Sequence, residues 1–426
     1  MKHDLTLTQN LMEKICDRDN LRRAYRQVVS NRGAAGVDRM TVDELHSWIG
    51  KNIEAFRESL LNGTYQPQEI RGVSISKPTG GMRKLGIPTV VDRLTQQAIL
   101  QVLQPLCDPL FSDHSYGFRP GRSTHQALLK AKSYVDAGYY RTVDMDLEKF
   151  FDKVNHDILM SRLARRFGDK RLLLLIRRFL TAGMMEHGVI CTPRTEGMAQ
   201  GSPLSPLLSN ILLDELDKEL EKRGHKFVRF ADDCNVYVKS QAAAERVLRS
   251  LTIWLSKNLR LKVNEQKSAA DDVRKRKFLG YRIQNGNFHI APESLDRLKV
   301  KIRKLTERRS PQTLEERVEK LNQLVVGWLN YFRLADARTH MRNLDQWLRR
   351  RIRCLRLHQL KRTFPRVVFL KSLGVSDKAA WLTMSSGKGN WRLANTPASN
   401  LGMNLKWFED LGLLSFEKRY LKLKEV

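Results

Sequence analysis

Residues Phe227–Val238 read FVRFADDCNVYV. Apolar and aromatic side chains run up to Phe230, two adjacent carboxylates follow at Asp232 and Asp233, and a second β-rich run occupies residues 235–238. Two short strands joined at a tight turn form a hairpin, so this pattern predicts a hairpin with acid at its tip. An ordinary turn is the simpler interpretation of these residues alone, because Asp is a common turn residue.

A second acidic stretch lies upstream, at Thr142–Asp152, and reads TVDMDLEKFFD. A β-type run ends at Asp144 and Asp146, and the apolar positions 147, 150, 151, 154, 158 and 159 fit one face of a helix. Carboxylates at the ends of neighbouring strands repel one another unless a cation lies between them. Such oxygen ligands suit Mg²⁺, and two such ions can activate an attacking oxygen and stabilise a leaving one in phosphoryl transfer.

The pairing of D-x-x-x-F-F-D with F-A-D-D resembles the palm of reverse transcriptases, specifically those encoded by bacterial group II introns. The resemblance implies an α+β fold: a right-hand polymerase of fingers and palm, an α-helical thumb or maturase domain, and a small C-terminal DNA-binding domain. It also implies that Asp146, Asp232 and Asp233 are the catalytic carboxylates and hold two Mg²⁺ ions, whereas Asp144 has no assigned role. Phe151 matches the aromatic residue that closes the sugar pocket, although a core aromatic would give the same pattern.

The bulk composition favours a nucleic-acid partner. The chain has 426 residues, long enough for two to four domains, and its apolar fraction of 41% is ordinary for a globular protein. Its formal net charge of +30 calls for a polyanion, most simply nucleic acid; a basic ribosomal or membrane-surface protein is the alternative. No apolar run approaches the roughly twenty residues of a spanning helix, so no membrane partner is expected. The five scattered cysteines contain no C-x-x-C pair, which favours reduced thiols and, with the resemblance, the bacterial cytoplasm.

The stretch Arg71–Pro88, RGVSISKPTGGMRKLGIP, alternates apolar and polar residues around a central P-T-G-G turn. This pattern predicts a hairpin whose basic residues Lys77 and Arg83 bracket the turn. A solvated hairpin with incidental charges fits equally well. The family resemblance implies that this hairpin forms the fingertips, and that Lys77 and Arg83 grip the incoming dNTP.

A polar loop rich in aromatic and basic residues begins at residue 111 and contains the string SYGFRPGR. Tyr116, Arg119 and Arg122 could stack on a nucleic-acid strand and neutralise it. From composition alone, a packed aromatic loop is nearly as good an interpretation. The string itself is a specific match to group II intron reverse transcriptases.

Two further segments match the dNTP site of the family. In EGMAQGSPLSPL, Gln200 and the glycine after it match the Gln-Gly that packs against the nascent base pair. Ala199 stands where Pro is usual and Ser202 where Gly is usual, which bears on nucleotide selectivity more than on activity. Lys267 is a candidate phosphate contact by the same resemblance, and a solvated charge is the alternative.

The character of the chain changes after residue 295. The segments LDRLKVKIRKLTERR, KLNQLVVGWLNYFRLADA and MRNLDQWLRRRIRCLRLHQLKR predict three amphipathic helices in a small bundle. Between positions 342 and 366 there are nine basic residues against one acid, Asp345. Arg349, Arg350 and Arg353 are candidate nucleic-acid contacts, and a core with a solvated basic face is the usual alternative. The string GWLNYF resembles the thumb of the family.

The resemblance implies four domains: an N-terminal extension with fingers (1–92), a palm with the remaining fingers (93–288), a helical thumb (289–362) and a small basic DNA-binding domain (363–426). No H-N-H segment and no paired cysteines follow, so the short, class C-like form without an endonuclease domain is expected.

The leading hypothesis is an RNA-directed DNA polymerase that copies intron RNA into cDNA and binds that RNA as a maturase assisting splicing and retromobility. Its implied partners are group II intron RNA, an RNA template with a DNA primer, target DNA and dNTPs, and the oligomeric state is left open. Two alternatives remain: a free-standing reverse transcriptase adapted to DNA repair or phage defence, and an RNA-binding splicing cofactor with a vestigial polymerase.

Overall fold

The computed structural model describes residue 8 and residues 10–76, 80–186, 189–190, 194–308 and 310–425. It divides the chain into two compact units, Met1–Arg276 and Lys277–Val426. The four domains expected from the sequence stay a prediction.

The first unit contains the strands of two separate four-stranded sheets. The strands are β1 Ile70–Ser76, β2 Met82–Ile87, β3 Arg141–Met145, β4 Met184–Glu186, β5 Val189–Ile190, β6 Lys226–Phe230, β7 Asp233–Val238 and β8 Ala269–Asp272. Its α-helices are α1 Leu11–Ile15, α2 Arg18–Ser30, α3 Leu45–Leu61, α4 Val90–Cys107, α5 Thr124–Asp136, α6 Phe150–Lys153, α7 His156–Ala164, α8 Lys170–Thr181, α9 Ser205–Lys222 and α10 Gln241–Leu259.

The central sheet has the strand order β6-β7-β3-β8, and every neighbouring pair in it is antiparallel. The hairpin predicted from FVRFADDCNVYV is present as β6 and β7, with Phe230 paired to Asp233 across a two-residue turn. β3 lies between β7 and β8, and Asp144 pairs with Asn235 on one side and Ala269 on the other. The two acidic stretches are therefore carried by adjacent strands.

The second sheet has the order β2-β1-β4-β5. The predicted hairpin is present, because β1 and β2 pair antiparallel from Arg71 opposite Ile87 to Ser76 opposite Met82. Lys77 lies outside the described residues. The C-terminal part of β2 is covered, whereas its first residues, including Arg83, are exposed.

The single helix predicted from residue 147 is wrong, because α6 and α7 are separate. Val154 between them has an extended backbone (φ −62°, ψ 119°), and the Asn155 side chain starts α7 by accepting a hydrogen bond from the Ile158 N–H at 3.0 Å. The apolar spacing wrongly predicts one continuous helix here. Phe150 and Val154 are both buried, as that helix would require, but the backbone is extended at Val154 and a new helix begins after it. An Asn side chain that caps the start of a new helix competes with continuation of the preceding helix, even where the apolar periodicity is favourable.

One hydrophobic core runs through the first unit. It joins the N-terminal helices α1–α4, the inner face of β3 and β7, and helices α7–α10, with residues such as Leu11, Ile99, Val143, Ile211 and Leu251 fully buried. Helix α9 is apolar on most sides and buries twelve of its eighteen residues. The acidic ends of β3 and β7 therefore project from a rigid, packed sheet.

In the residues that the structure describes, the second unit is helical apart from one small hairpin. Strands β9 Tyr281–Gln284 and β10 Asn287–Ile290 pair antiparallel. The helices are α11 Pro292–Leu305, α12 Leu314–Tyr331, α13 Arg338–Gln359, α14 Thr363–Ser372, α15 Asp377–Met384, α16 Asn390–Leu393, α17 Pro397–Gly402, α18 Leu405–Asp410 and α19 Phe416–Lys424. The first three match the predicted amphipathic helices. Among the helices that the structure describes, none combines the length and apolar character that a membrane crossing requires.

The single acid in the basic run of α13 has a structural role. Asp345 is buried and accepts hydrogen bonds from the Ser415 hydroxyl (2.6 Å) and from the backbone N–H groups of Phe416 (2.8 Å) and Glu417 (3.0 Å). These N–H groups belong to the first turn of α19, which has no intrahelical partners for them. Asp345 thus fastens the C-terminal helix to α13.

We expect Asp345→Ala to lower the free energy of unfolding of this unit by about 2 kcal/mol, because it leaves buried N–H groups without partners. Hydrogen exchange of the α19 amides, measured beside urea denaturation, would locate the loss. Glu409→Ala, which removes an exposed ion pair with Lys418, serves as the control and should leave exchange in α19 unchanged. Equal protection of α19 in Asp345→Ala and in the parent protein would contradict this role.

Candidate active site

The acidic turn is shaped by an unusual backbone at its first residue. Ala231 has φ 59°, and Asp232 completes the two-residue turn before β7 begins at Asp233. A two-residue hairpin turn needs positive φ, which costs energy in a residue with a Cβ. Gly117 packs directly on this turn, since a Cβ built there would lie 2.2 Å from the Ala231 nitrogen. The loop that contains SYGFRPGR therefore supports the tip of the hairpin.

Asp146 stands immediately after β3 and is positioned by its backbone. Its N–H donates to the Ser268 hydroxyl at 2.9 Å, and its carbonyl accepts from the Asn264 N–H at 2.8 Å. Lys267 Nζ lies 3.0 Å from Asp146 Oδ2, an ion pair without hydrogen-bond geometry, so this buried oxygen receives no hydrogen bond. The sequence placed Lys267 and Asp146 in one site, and the structure brings them into contact.

The electrostatics of the turn follow from burial and like charge. Burial raises the pKa of Asp232, and the Asp146 charge adds to this, while Arg83 opposes it. Burial together with the charges of Asp232, Asp144 and Asp146 raises the pKa of Asp233 to about 7. Part of the Asp233 side chain is open to solvent, but the surrounding protein still desolvates its carboxyl group. The carboxylates are thus close enough to repel one another and to favour a neutralising cation.

A divalent cation fits this chemistry. In the part of the chain that the structure describes, no three His, Cys, Asp or Glu side chains form a preassembled metal shell. The fit rests on the unbonded, buried Oδ2 of Asp146 and on the mutual repulsion of the carboxylates. Hard oxygen ligands of this kind, completed by water and substrate phosphate, suit Mg²⁺.

Asp144, which the sequence left without a role, is an anchoring residue. Arg276 donates to its Oδ2 through Nη2 at 2.7 Å and Nε at 3.0 Å, and the same Nη2 donates to the Lys267 carbonyl at 2.6 Å. Arg276 thus ties the end of β3 to the segment that carries Lys267. Asp144 pairs with Asn235 on β7, and Asn235 lies two residues from Asp233 on the same face of that strand, which explains why the Asp144 charge also acts on Asp233.

Phe151 and Gln200 are brought together by backbone hydrogen bonds. The Met198 N–H donates to the Phe151 carbonyl at 2.6 Å, and the Gln200 carbonyl accepts from the Gly86 N–H on β2 at 2.8 Å. Gly201 has φ 111°, and a Cβ there would lie 3.0 Å from the Gly86 carbonyl. The Gln-Gly segment therefore links the Phe151 segment to the hairpin of Arg83. The Phe151 ring is half-buried, in edge contact with Phe150.

The loop predicted to bind nucleic acid divides into supporting and exposed residues. Arg119 is buried, pairs with Asp108 at 2.8 Å and donates to the carbonyls of Ser112 and Ser115. Tyr116 is buried, and the Arg122 guanidinium lies over its ring at 5.6 Å while pairing with an exposed aspartate. The residue of this loop with the most open aromatic ring is Phe118, at 46% exposure.

Sequence reasoning missed the buried ion pair beneath the turn. Arg229 and Asp217 are fully buried and bidentate, with distances of 2.7 Å and 2.6 Å. Arg229 also donates to the Ala231 carbonyl at 2.8 Å, to Asn210 Oδ1 at 3.0 Å and to the Ser115 hydroxyl at 2.7 Å. Burial raises the pKa of Asp217, and the adjacent guanidinium opposes that shift. A lone arginine inside the apolar run before F-A-D-D was the signal that could have revealed this pair.

The basic residues predicted on α13 are half-buried. Arg350 lies 4.1 Å from the Trp391 ring centre and donates to the Trp391 carbonyl at 3.0 Å and 3.2 Å. Arg353 donates to the Met403 carbonyl at 2.9 Å, and burial with the nearby Arg349 charge lowers its pKa to about 10. Arg350 and Arg353 thus pack against the C-terminal helices.

Comparison with known proteins agrees with this organisation. Residues 75–283 match the family "Reverse transcriptase (RNA-dependent DNA polymerase)", and residues 295–371 match "Group II intron, maturase-specific domain". Protein YkfC of Escherichia coli is 38% identical over 221 residues, which cover 50% of this chain and 58% of YkfC. The group II intron-encoded protein LtrA of Lactococcus lactis is 37% identical over 208 residues, covering 48% of this chain and 34% of LtrA. The matched part therefore spans less than two thirds of either relative.

Two solved structures show weaker similarity. Telomerase from Candida albicans, in complex with a telomeric RNA fragment, matches with a TM-score of 0.43 and 13% identity over 89% of this chain and 69% of that one. A partial Cas6-RT-Cas1–Cas2 complex matches with a TM-score of 0.39 and 28% identity over 58% of this chain and 43% of that one. Together the two family matches account for most of the chain. The chain belongs to the reverse transcriptases that carry a group II intron maturase-specific domain.

Proposed function

We propose that this protein is an RNA-directed DNA polymerase that copies intron RNA into cDNA, and that it binds this RNA as a maturase assisting splicing and retromobility. The observation that carries the proposal is the acidic site at the ends of β3 and β7. There Asp146, Asp232 and Asp233 repel one another at the surface of a packed sheet. A vestigial polymerase would not need to retain three carboxylates that repel one another.

In this proposal Asp146, Asp232 and Asp233 hold two Mg²⁺ ions. When bound, such ions supply Lewis-acid stabilisation of the negative charge that develops during phosphoryl transfer. The chain's own contribution is positioning: the rigid sheet fixes the carboxylates, and the supported turn keeps Asp232 at the tip. Orienting the primer 3′-hydroxyl and the dNTP in this way would lower the activation barrier of the transfer.

The proposed dNTP contacts are five residues: Lys77, Arg83, Phe151, Gln200 and Lys267. Arg83 acts electrostatically on Asp232, and with Lys77 it would neutralise the triphosphate. Lys267 would exchange its ion pair with Asp146 for a phosphate when nucleotide and metal arrive. Phe151 would lie under the sugar, and Gln200 would pack against the nascent base pair.

The nucleic-acid contacts proposed from the sequence are refined by burial. Arg122 and the exposed Phe118 would meet the strand, whereas Tyr116 and Arg119 would act only by holding the loop. Arg349 remains a candidate phosphate contact on α13, and Arg350 and Arg353 would support that surface from below. The partners are group II intron RNA, an RNA template with a DNA primer, and target DNA.

The bacterial cytoplasm is the proposed location. Four cysteines in the described part of the chain are free and buried: Cys16, Cys107, Cys234 and Cys354. Burial raises the pKa of Cys16 and Cys107 to about 11, which keeps them as thiols. Unpaired structural thiols of this kind suit a reducing compartment.

Asp232→Ala separates polymerisation from RNA binding. It removes one proposed metal ligand and relieves repulsion in the acidic cluster, so folding should survive. We expect primer extension on an RNA template to fall by several orders of magnitude, and intron RNA binding to stay within a few-fold. Primer extension and an RNA titration on one preparation would measure both. A wild type that binds intron RNA but extends no primer with Mg²⁺ would instead support the splicing-cofactor alternative.

Phe151→Ala tests the sugar pocket. If Phe151 excludes a 2′-hydroxyl by steric contact, its removal should let ribonucleotides in while RNA binding stays intact. Single-nucleotide extension with dNTP and rNTP would show a fall in the dNTP/rNTP preference. Phe150→Leu, a change in the buried neighbour, is the control and should keep the preference. An unchanged ratio in Phe151→Ala would remove Phe151 from this role.

Arg229→Met tests the buried ion pair. It strands the Asp217 carboxylate and frees the Ala231 carbonyl, so we expect a loss of about 3–5 kcal/mol of unfolding free energy. Arg223→Met breaks a partly exposed pair with Glu219 and should cost below about 1 kcal/mol.

The double change Arg229→Met with Asp217→Leu distinguishes positioning from stability. Removing both charges should recover most of the stability. Primer extension should nevertheless be slower than in the wild type, because the hydrogen bond from Arg229 to the Ala231 carbonyl is missing and no longer holds the turn. A stable double variant with wild-type kcat and KM would refute the positioning role of Arg229.

A further inference from the structure

A cavity of about 700 Å³ lies within the second unit, among α11, the segment that follows it, α13 and Trp391. Four basic side chains and one acid, Glu307, line it; the basic residues are Arg303, Lys304, Arg308 and Arg351. Its volume is that of a small-ligand site. None of the catalytic roles proposed above uses these residues.

The basic residues of this cavity face one another without acidic partners. Among the described residues, Arg303, Arg308 and Arg351 form no ion pair with a carboxylate, and the one acid of the lining, Glu307, is exposed. Burial and the charges of Arg303 and Arg308 lower the pKa of Arg351. Such crowding of like charge is unfavourable unless an anion occupies the space between them.

The guanidinium groups are held in place. The Arg303 and Arg351 groups lie 5.7 Å and 5.4 Å from the ring centre of Trp347. Arg351 Nε donates to the Thr306 hydroxyl at 2.7 Å, and Arg308 Nη2 lies 3.4 Å from Cys354 Sγ. Side chains that are already ordered lose little entropy when they bind a phosphate.

Part of the cavity wall is apolar. Leu355 and Trp391 contribute to it, and Arg350 covers one face of the Trp391 ring while donating to its carbonyl. A phosphate alone needs no apolar wall and far less space. A nucleotide that leaves its helix presents a phosphate and a flat base together, as RNA loops and bulges do when proteins recognise them.

We propose that this cavity is a binding site for one unpaired RNA nucleotide, with its phosphate held by Arg303, Arg308 and Arg351 and its base against the apolar wall. The proposal rests on the maturase function proposed above, because α11 and α13 belong to the match with the maturase-specific domain. Trp391 lies beyond that match, so the site needs residues from the C-terminal helices as well.

The test compares two RNA hairpins, one fully paired and one with a single bulged nucleotide, in binding titrations with the full chain. The wild type should prefer the bulged hairpin about tenfold, the order of one stacked base. Arg303→Gln with Arg308→Gln should abolish that preference. It should also lower the salt dependence of bulged-hairpin binding by roughly 1.4 to 1.8 in log–log slope.

Lys301→Gln with Lys320→Gln is the matched control, because it removes the same charge from exposed positions of α11 and α12 outside the cavity. It should keep the preference for the bulge. All four positions are exposed, and thermal unfolding checks that every variant is folded.

Three outcomes would overturn the proposal, and a fourth would refute the function on which it rests. A wild type that binds both hairpins equally, or a cavity variant that keeps the preference, removes the nucleotide site while leaving general RNA binding intact. Displacement of the bulged hairpin by polyglutamate from the wild type but not from the cavity variant would reassign the cavity to an acidic protein. A wild type that binds neither hairpin nor intron RNA would instead refute the proposed maturase function.

Discussion

The ion pair between Arg229 and Asp217 is the interaction on which the acidic site depends. Two charges removed from water are tolerated only when they are paired and fully hydrogen-bonded. Arg229 meets that condition by using all five of its N–H groups on α9, on the Ala231 carbonyl and on Ser115. The same guanidinium therefore joins the central helix, the turn and the SYGFRPGR loop. The fully buried pair of Arg229 and Asp217 thus positions the turn that carries Asp232 and Asp233.

The acidic site itself is held together against its own charge. Asp144 is balanced by Arg276 and Asp146 by Lys267, while burial and the acidic neighbours raise the pKa of Asp233 to about 7. The two ion pairs allow the site to fold, and a bound cation would still reduce the repulsion among its carboxylates. Lys267, whose ammonium group pairs with Asp146, is also a proposed phosphate contact. Substrate binding would therefore change the charge balance of the acidic site.

The large positive charge of the chain does not translate directly into a nucleic-acid surface. Arg119 and Arg229 are buried in the first unit, where their hydrogen bonds hold neighbouring segments together. Arg317 is buried in the second unit and donates to carbonyl groups of the segment between α11 and α12. Arg350 and Arg353 stack on the C-terminal helices. Guanidinium groups serve both purposes because a planar fork of five donors satisfies backbone carbonyls as readily as phosphates.

The sequence by itself determined the local elements and the family: the hairpin with acid at its tip, the strand that leads into Asp146, the basic hairpin around Arg83 and three amphipathic helices. Periodicity and turn chemistry are local, so they can be read from neighbouring residues. Only the tertiary structure decided which charges are buried, where the helix after residue 147 breaks, and how Trp391 completes a cavity with α11 and α13. Those properties depend on contacts between distant segments, such as Ser115 with Arg229, and an arginine has the same letter whether it meets water, a carbonyl group or a phosphate.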